Sequence, residues 1–547
     1  MTTQHPLRAD KINNPILPGF NPDPSICRVN DDYYIATSTF EWYPGVQIHH
    51  SKDLVNWTLI ARPLNREDLL NMLGNPDSCG VWAPCLTYEQ GKFYLVFTDV
   101  KRFDGVFKDT HNYITTCDSI DGEWSTPVHV NSSGFDPSLF HDDDGRKWFL
   151  NMVWDHRPDR TFFQGIVLQE YCEQQECLIG QRHFIFAGSE LGFTEGPHLY
   201  KKDGYYFLSV AEGGTGYNHA QTMARSKSIT GPYEVDPLGH FISAKDSPNA
   251  YLQRTGHGDI VQTPSGDYYF VHLSSRPITD KKLSPMGRET SIQKLIYTQD
   301  KWFRLAQQNP EAGAKVGQAY IDLPDGSVNE LKHQCHFEDF NETELAIDFQ
   351  WLRTPYPDDF MSLSERPGYL RLKGRESVGS PFTQALIARR QQAFTFQATT
   401  KVEFTPTDFQ HQAGLINYYN ASKFHYLFIS YDEEKGKYLS IMSCEGDLSL
   451  TAKFPLWDAL IALPDNTPVY LRANVDYHKL VYSYSIDGQH FVPLPIELDA
   501  AILSDEAGKG EGANFTGAFV GVCCQDLTGM QNHADFDFFD YQESLPE

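Results

Sequence analysis

The sequence has no run approaching the ~20 consecutive apolar residues of a membrane-spanning helix, which speaks against that class of protein. Its opening stretch, Met1 to Asn14, is polar and lacks the apolar segment of a secretory leader, so a cytoplasmic location is expected. Positive charge is scarce as well: Lys and Arg number 45 against 72 Asp and Glu, a formal net charge of −27. Nucleic-acid binding needs basic patches to meet phosphate, and an anionic membrane surface repels such a chain. Neither partner is expected. The ten cysteines lack the paired CxxC spacing of a zinc site. Cys172 and Cys177 lie close together, and the neighbours Cys523 and Cys524 should leave opposite faces of one strand; all read as reduced thiols.

What is abundant is aromatic side chain, 14% of the residues with 29 Tyr and 36 Phe. That composition suits strands and supplies stacking surfaces for sugars. A pattern recurs five times: Asp23-Pro24-Ser25, Ala83-Pro84-Cys85, Asp136-Pro137-Ser138, Glu195-Gly196-Pro197 and His257-Gly258-Asp259. The steps are 60, 53, 59 and 62 residues. About eight places on comes a turn (Asp31-Asp32, Gln90-Gly91, Asp144-Gly145, Asp203-Gly204, Ser265-Gly266). An aromatic pair follows each turn: Tyr33-Tyr34, Phe93-Tyr94, Trp148-Phe149, Tyr205-Tyr206, Tyr268-Tyr269. Each unit therefore reads as strand, hairpin, aromatic strand. Five such units, with no helical pattern between them, predict an all-β chain opening with a five-bladed β-propeller. The expected organisation is an N-terminal tail over 1–14, the propeller over 15–310, a linker over 311–334 and a second domain of two packed antiparallel sheets over 335–547.

Equivalent positions in successive blades surround the propeller axis. Three of the five hold carboxylates, Asp23, Asp136 and Glu195, an arrangement that like-charge repulsion makes costly for a core. It suits glycoside hydrolysis, where one carboxyl protonates the leaving oxygen while another activates water or attacks. Glu195, the longest of the three, is the candidate acid. Asp23 is the candidate base, and Asp136 is left to raise the acid's pKa and orient it. Composition alone does not assign these roles. His257, at the fifth position, is either a hydrogen-bonded core residue or a contact to sugar, water or a cation. Arg288 is either a surface ion pair or a partner that holds a carboxylate ionised. Phe40 and Trp82 are either core aromatics or pocket walls. The acidic run His141-Asp142-Asp143-Asp144-Gly145 fills a hairpin slot and reads as a solvated turn. Glu212-Gly213-Gly214-Thr215-Gly216 lacks the Lys and following helix of a phosphate loop.

Taken together, Phe20-Asn21-Pro22-Asp23-Pro24-Ser25, Tyr33-Tyr34-Ile35-Ala36-Thr37-Ser38, Val81-Trp82-Ala83-Pro84, Phe135-Asp136-Pro137-Ser138, Thr194-Glu195-Gly196-Pro197-His198 and Gly287-Arg288-Glu289-Thr290 resemble the glycoside hydrolase family 43 β-xylosidases. The resemblance runs over nearly the whole chain. It implies a propeller followed by a concanavalin-like β-sandwich, and an inverting mechanism with Asp23 as base, Glu195 as acid and Asp136 as modulator. It implies pocket roles for Phe40, Trp82, His257 and Arg288, and it points to Phe515, within Asn514-Phe515-Thr516-Gly517, as a sandwich residue at the pocket mouth. The expected substrates are xylooligosaccharides such as xylobiose, cut one xylose at a time from the non-reducing end. An α-L-arabinofuranosidase, or one enzyme with both activities, is the alternative, with a non-catalytic sugar-binding propeller behind it. No cofactor is required; a Ca²⁺ ion near His257 would be accessory. A dimer or tetramer is expected.

Overall fold

The computed structural model describes residues 5–306, 315–331, 335–446, 452–508 and 514–544. Five antiparallel sheets follow one another along the chain. Blade one is built from Ser25–Val29, Asp32–Thr37, Gln47–Ser51 and Thr58–Ala61. Blade two spans Gly80 to Asn131, blade three Ser138 to Phe186, blade four Glu195 to Val235 and blade five Gln253 to Leu305. Blade four gains Ile242–Ser243 as a fifth strand against Ala220–Ser226. The turn chemistry accounts for the hairpins. Gln90-Gly91 and Asp203-Gly204 have positive φ at both positions, the left-handed conformation that a two-residue hairpin loop demands.

The aromatic strands pack blade on blade. Between blades four and five, Phe207 meets Phe303 edge-on at 5.2 Å within a cluster that includes Met223, Phe241, Phe270 and Trp302. Each such side chain removed from water contributes ~1.5–3 kcal/mol. The acidic turn lies as expected in a hairpin, but of its three acids only Asp143 and Asp144 are solvated. Asp142 is buried and accepts from Lys201 and Tyr206, so it ties blade three to blade four. All ten cysteines are free thiols, and no helix among the described residues is long and apolar enough to cross a membrane.

The repeat register needs one correction. Asp23, Ala83, Asp136 and His257 share a left-handed backbone, with φ of 54°, 38°, 55° and 44°. In blade four that conformation belongs to Gly196, at φ 55°, so Glu195 stands one residue before the equivalent position. Glycine at 196 has a packing reason: a Cβ there would sit 3.0 Å from Nε2 of His257.

Residues 11–13 and the described part of the linker are not loose. Lys11–Asn13 pairs with Tyr320–Asp322, and Asn14 exchanges hydrogen bonds with Ile292 of blade five and donates to the carbonyl of Gln318. Residues 1–4, 311–314 and 332–334 of those segments lie outside the described residues.

From Cys335 onward two large antiparallel sheets face each other across an apolar core. One of them is completed by the propeller. Trp42–Tyr43, in the aromatic turn of blade one, pairs with Phe349–Leu352 at the sheet edge. Trp42 is fully buried, its ring 3.7 Å from that of Phe519 and nearly parallel to it. The seam between the domains is thus a shared sheet, and it lies beside the propeller mouth.

Candidate active site

All eight residues singled out from the sequence, Asp23, Phe40, Trp82, Asp136, Glu195, His257, Arg288 and Phe515, line one pocket of about 270 Å³. The left-handed backbone at Asp23, Asp136 and His257 turns these side chains inward at the start of their blades. A non-glycine residue in that region is uncommon, and backbone strain of this kind clusters at functional sites.

Asp23 is buried and fully engaged. Its Oδ1 accepts from Arg288 Nη1 at 2.9 Å, and its Oδ2 accepts from the Ser38 hydroxyl at 2.7 Å. Ser38 Oγ in turn accepts the Ala83 N–H at 2.7 Å. Burial pushes the Asp23 carboxyl up, but the Arg288 charge, His257 and the Ser38 bond outweigh it and hold the group below the usual carboxylate range. Burial pushes His257 down to about 4, so at neutral pH its ring is uncharged and Arg288 carries the electrostatic effect. The His257 Nδ1 lies 3.6 Å from Asp23 Oδ1 and 4.0 Å from Asp136 Oδ2, between the two acids.

Asp136 and Glu195 go the other way. Burial, and then the charges of neighbouring carboxylates, push both upward, with Glu195 held well above the ordinary range. The two are pushed up unequally for a local reason. The Gly196 N–H donates to Asp136 Oδ2 at 3.0 Å and favours its ionised form. Among the described residues no such donor serves the Glu195 carboxyl, which is therefore the better place for the proton.

The walls come from both domains. The Phe515 ring lies 5.7 Å from Trp82 and 6.4 Å from Phe40, and its carbonyl accepts from Arg288 Nη2 at 2.9 Å. Gly287 makes that approach feasible. It has φ +65°, and a Cβ there would fall 2.2 Å from the carbonyl oxygen of Thr516.

The pocket also holds residues that the repeat did not reveal: Phe103, Lys108, Phe135, Trp154, Phe163, Phe193, Gly214 and Thr215. Lys108 lies 4.3 Å from the Trp154 ring centre and donates to the Phe103 carbonyl. Burial lowers its pKa. Phe193, half exposed and with φ 52°, stands at the mouth. Thr215 belongs to the glycine-rich stretch of blade four, and its hydroxyl accepts from Arg288 Nη1 at 3.3 Å. None of these residues stands at the repeated position, so periodicity could not mark them: Phe103, Lys108, Phe193, Gly214 and Thr215 sit on connections, Trp154 and Phe163 at strand ends, and Phe135 just before Asp136. A larger cleft of about 990 Å³ opens along the seam near Arg62 and Trp124, but its carboxylates, Asp121, Glu123, Glu344 and Asp358, are exposed and do not converge. Among the described residues no three His, Cys, Asp or Glu side chains are placed to hold a metal ion together.

A five-bladed propeller with three buried carboxyls facing one aromatic-walled pocket defines the class, a glycoside hydrolase. The chain belongs to glycosyl hydrolases family 43, whose domain matches residues 12–303; residues 338–542 match the β-xylosidase C-terminal concanavalin A-like domain. It is 50% identical to Xylosidase/arabinosidase 43B of Humicola insolens, across 97% of this chain and 98% of that protein. To the β-xylosidase of Bacillus subtilis (strain 168) it is 48% identical, across 97% and 100%. The crystal structure of xylan β-1,4-xylosidase from Bacillus halodurans C-125 superposes with a TM-score of 0.93 at 47% identity, covering 97% of this chain and all of that one.

Proposed function

We propose that the chain is an inverting, exo-acting β-xylosidase that releases xylose from the non-reducing end of β-1,4-xylooligosaccharides such as xylobiose. One observation carries the reading: a single pocket sets Asp23 against Arg288 and Ser38, which favour its ionised form, and buries Glu195 beside Asp136, which favours its protonated form. Glu195 gives its proton to the glycosidic oxygen as the bond to the anomeric carbon breaks. Asp23 takes a proton from the water that attacks that carbon from the opposite face, so the product has inverted configuration. Asp136, whose own pKa burial also raises, resists a second negative charge beside it and so keeps Glu195 protonated until the leaving group draws the proton away. Side chains and water supply every group these steps use. Phe40, Trp82 and Phe515 wall the sugar site, and Phe515 blocks extension past the terminal residue, which favours exo cleavage.

A second reading is an arabinofuranosidase activity beside the first, favoured by the double name of the Humicola relative. Xylopyranose and arabinofuranose can place similar hydroxyls, and a pocket of this kind separates them weakly. The test is proton NMR of xylobiose with the purified protein, read before mutarotation. α-Xylose is the expected first product. β-Xylose would overturn the roles of Asp23 and Asp136, and an inert xylobiose beside a cleaved aryl arabinofuranoside would put the second reading first.

A further inference from the structure

The hydrogen bonds around Arg288 close into a ring that crosses the domain seam twice. Arg288 Nη2 donates to the Phe515 carbonyl at 2.9 Å. The next residue, Thr516, donates its N–H to the Tyr419 hydroxyl at 3.0 Å, and that hydroxyl donates to Oδ1 of Asp505. Asp505 Oδ2 accepts from Arg254 Nη2 at 3.0 Å, and Arg254 Nε donates to the Thr215 carbonyl at 2.9 Å. The Thr215 hydroxyl accepts from Arg288 Nη1, which completes the circuit. Arg254, Thr215 and Arg288 belong to the propeller; Tyr419, Asp505, Phe515 and Thr516 belong to the sandwich. Every link is at least half buried, and Arg254 and Asp505 have side-chain exposures of 1% and 0%. Arg254 also has a left-handed backbone, φ 55°.

We infer that Arg254 and Asp505 are positioning residues, a buried ion pair that fixes Arg288 against Asp23 and Phe515 against the sugar site from the far side of the seam. The inference rests on the functional reading above. Its physical basis is geometric. A guanidinium on a flexible stem loses side-chain freedom when it is held, and Arg288 is held by one carboxylate and two neutral oxygens. The two neutral acceptors, Thr215 Oγ1 and the Phe515 carbonyl, are themselves placed by Arg254 and by the Tyr419–Asp505 pair. Loosening either one lets the guanidinium swing away from Asp23. Besides Arg288, the ionisable groups facing Asp23 are His257, His219, Asp136 and Glu195; none of them is part of the ring.

The test uses Asp505→Asn and Tyr419→Phe in the full chain, with Glu506→Gln as the comparison. Glu506 also accepts from Arg254, through Nη1 at 3.1 Å, and from Ser284 and Tyr217, but it lies outside the ring. Asn at 505 cannot accept from both Arg254 and Tyr419, and Phe at 419 removes the hydroxyl while keeping the ring packing. Each ring variant should move the acid limb of the kcat/KM profile up by about half a pH unit, roughly a threefold change in protonation. The double variant should move it no further than either single one, because a ring opened once is already open. Glu506→Gln should lower Tm and leave the limb in place. An unmoved limb in folded ring variants, or an equal shift in Glu506→Gln, would overturn the inference. ¹³C NMR of the Asp23 carboxyl, in aspartate-labelled protein assigned with Asp23→Asn, follows the same titration without turnover. A wild type that releases no xylose therefore sinks the functional reading alone, while an Asp23 titration unchanged in the ring variants sinks the ring.

Discussion

Replacing Ser38 by alanine removes one hydroxyl at the point where the base is held. The Ser38 Oγ is buried, donates to Asp23 at 2.7 Å and accepts the Ala83 N–H at 2.7 Å. A hydrogen bond to a charged group contributes about 1.5–3 kcal/mol, and one pKa unit corresponds to about 1.36 kcal/mol. Losing it should raise the Asp23 pKa by about 1–2 units, since Arg288 remains in place. The acid limb of kcat/KM on xylobiose should rise by the same amount, with activity on the alkaline side of the limb reduced only a few-fold. Stability should fall too. Asp23 has a depressed pKa in the folded state, so its contribution is present above the unfolded value of about 3.9 and is lost as pH falls through the folded one. Denaturant unfolding should therefore show a larger penalty for Ser38→Ala at pH 7 than near pH 3. The remainder at pH 3 comes from the orphaned Ala83 N–H, about 1–3 kcal/mol. A folded Ser38→Ala protein whose acid limb stays where the wild type has it would refute the assignment of Asp23 as base.

Three further outcomes follow from the same electrostatics and packing. Glu195→Gln should lose about 10²–10⁴-fold on xylobiose yet keep most activity on aryl xylosides whose leaving groups need no proton; equal loss on both would count against its role as acid. The same change should raise Tm at pH 7–8. Glu195 must take up a proton on folding there, so its raised pKa subtracts stability progressively above the unfolded value of about 4.3. Phe515→Ala should raise KM for xylobiose about tenfold, or about 1.4 kcal/mol, by removing the ring that faces Trp82 and Phe103; steady-state kinetics with KM unchanged would remove Phe515 from the sugar site.

The propeller was legible because its signal is periodic. Turn and aromatic pair return in every blade, and the proline in four of the five, each at a fixed place in the unit. Asp23, Asp136 and His257 could be found because they sit on that period. Glu195 was found with its register off by one, because Gly196 rather than Glu195 carries the left-handed backbone. What stayed hidden is mostly what does not repeat. Lys108 and Phe193 reach the pocket from single connections, and Thr215 lies in a glycine-rich stretch that looked notable only for resembling a phosphate loop. Ser38 stood within a matching motif, yet nothing in a strand-end serine says that it will meet an aspartate fifteen residues earlier. The aromatic turn Thr39 to Gly45 was the least readable segment. Its strand Trp42–Tyr43 is defined by a partner, Phe349–Leu352, some three hundred residues on, and local patterning carries no trace of that pairing.

That pairing bears on whether the propeller can stand alone. Phe20, Trp42 and Tyr43 are at most 1% exposed, and their ring partners include Phe519 and Trp351 of the sandwich. Stripping the sandwich would return much of three large aromatic side chains to water, at ~1.5–3 kcal/mol each. The total, roughly 5–9 kcal/mol, rivals the whole stability of an ordinary domain, about 5–15 kcal/mol. It would also free the Trp42–Tyr43 edge for pairing with another chain and deprive Arg288 of the Phe515 carbonyl. Residues 1–334 expressed alone should therefore aggregate or unfold without a cooperative transition. A soluble fragment that melts cooperatively and still releases xylose from xylobiose would show that the sandwich is an accessory and not a wall of the site.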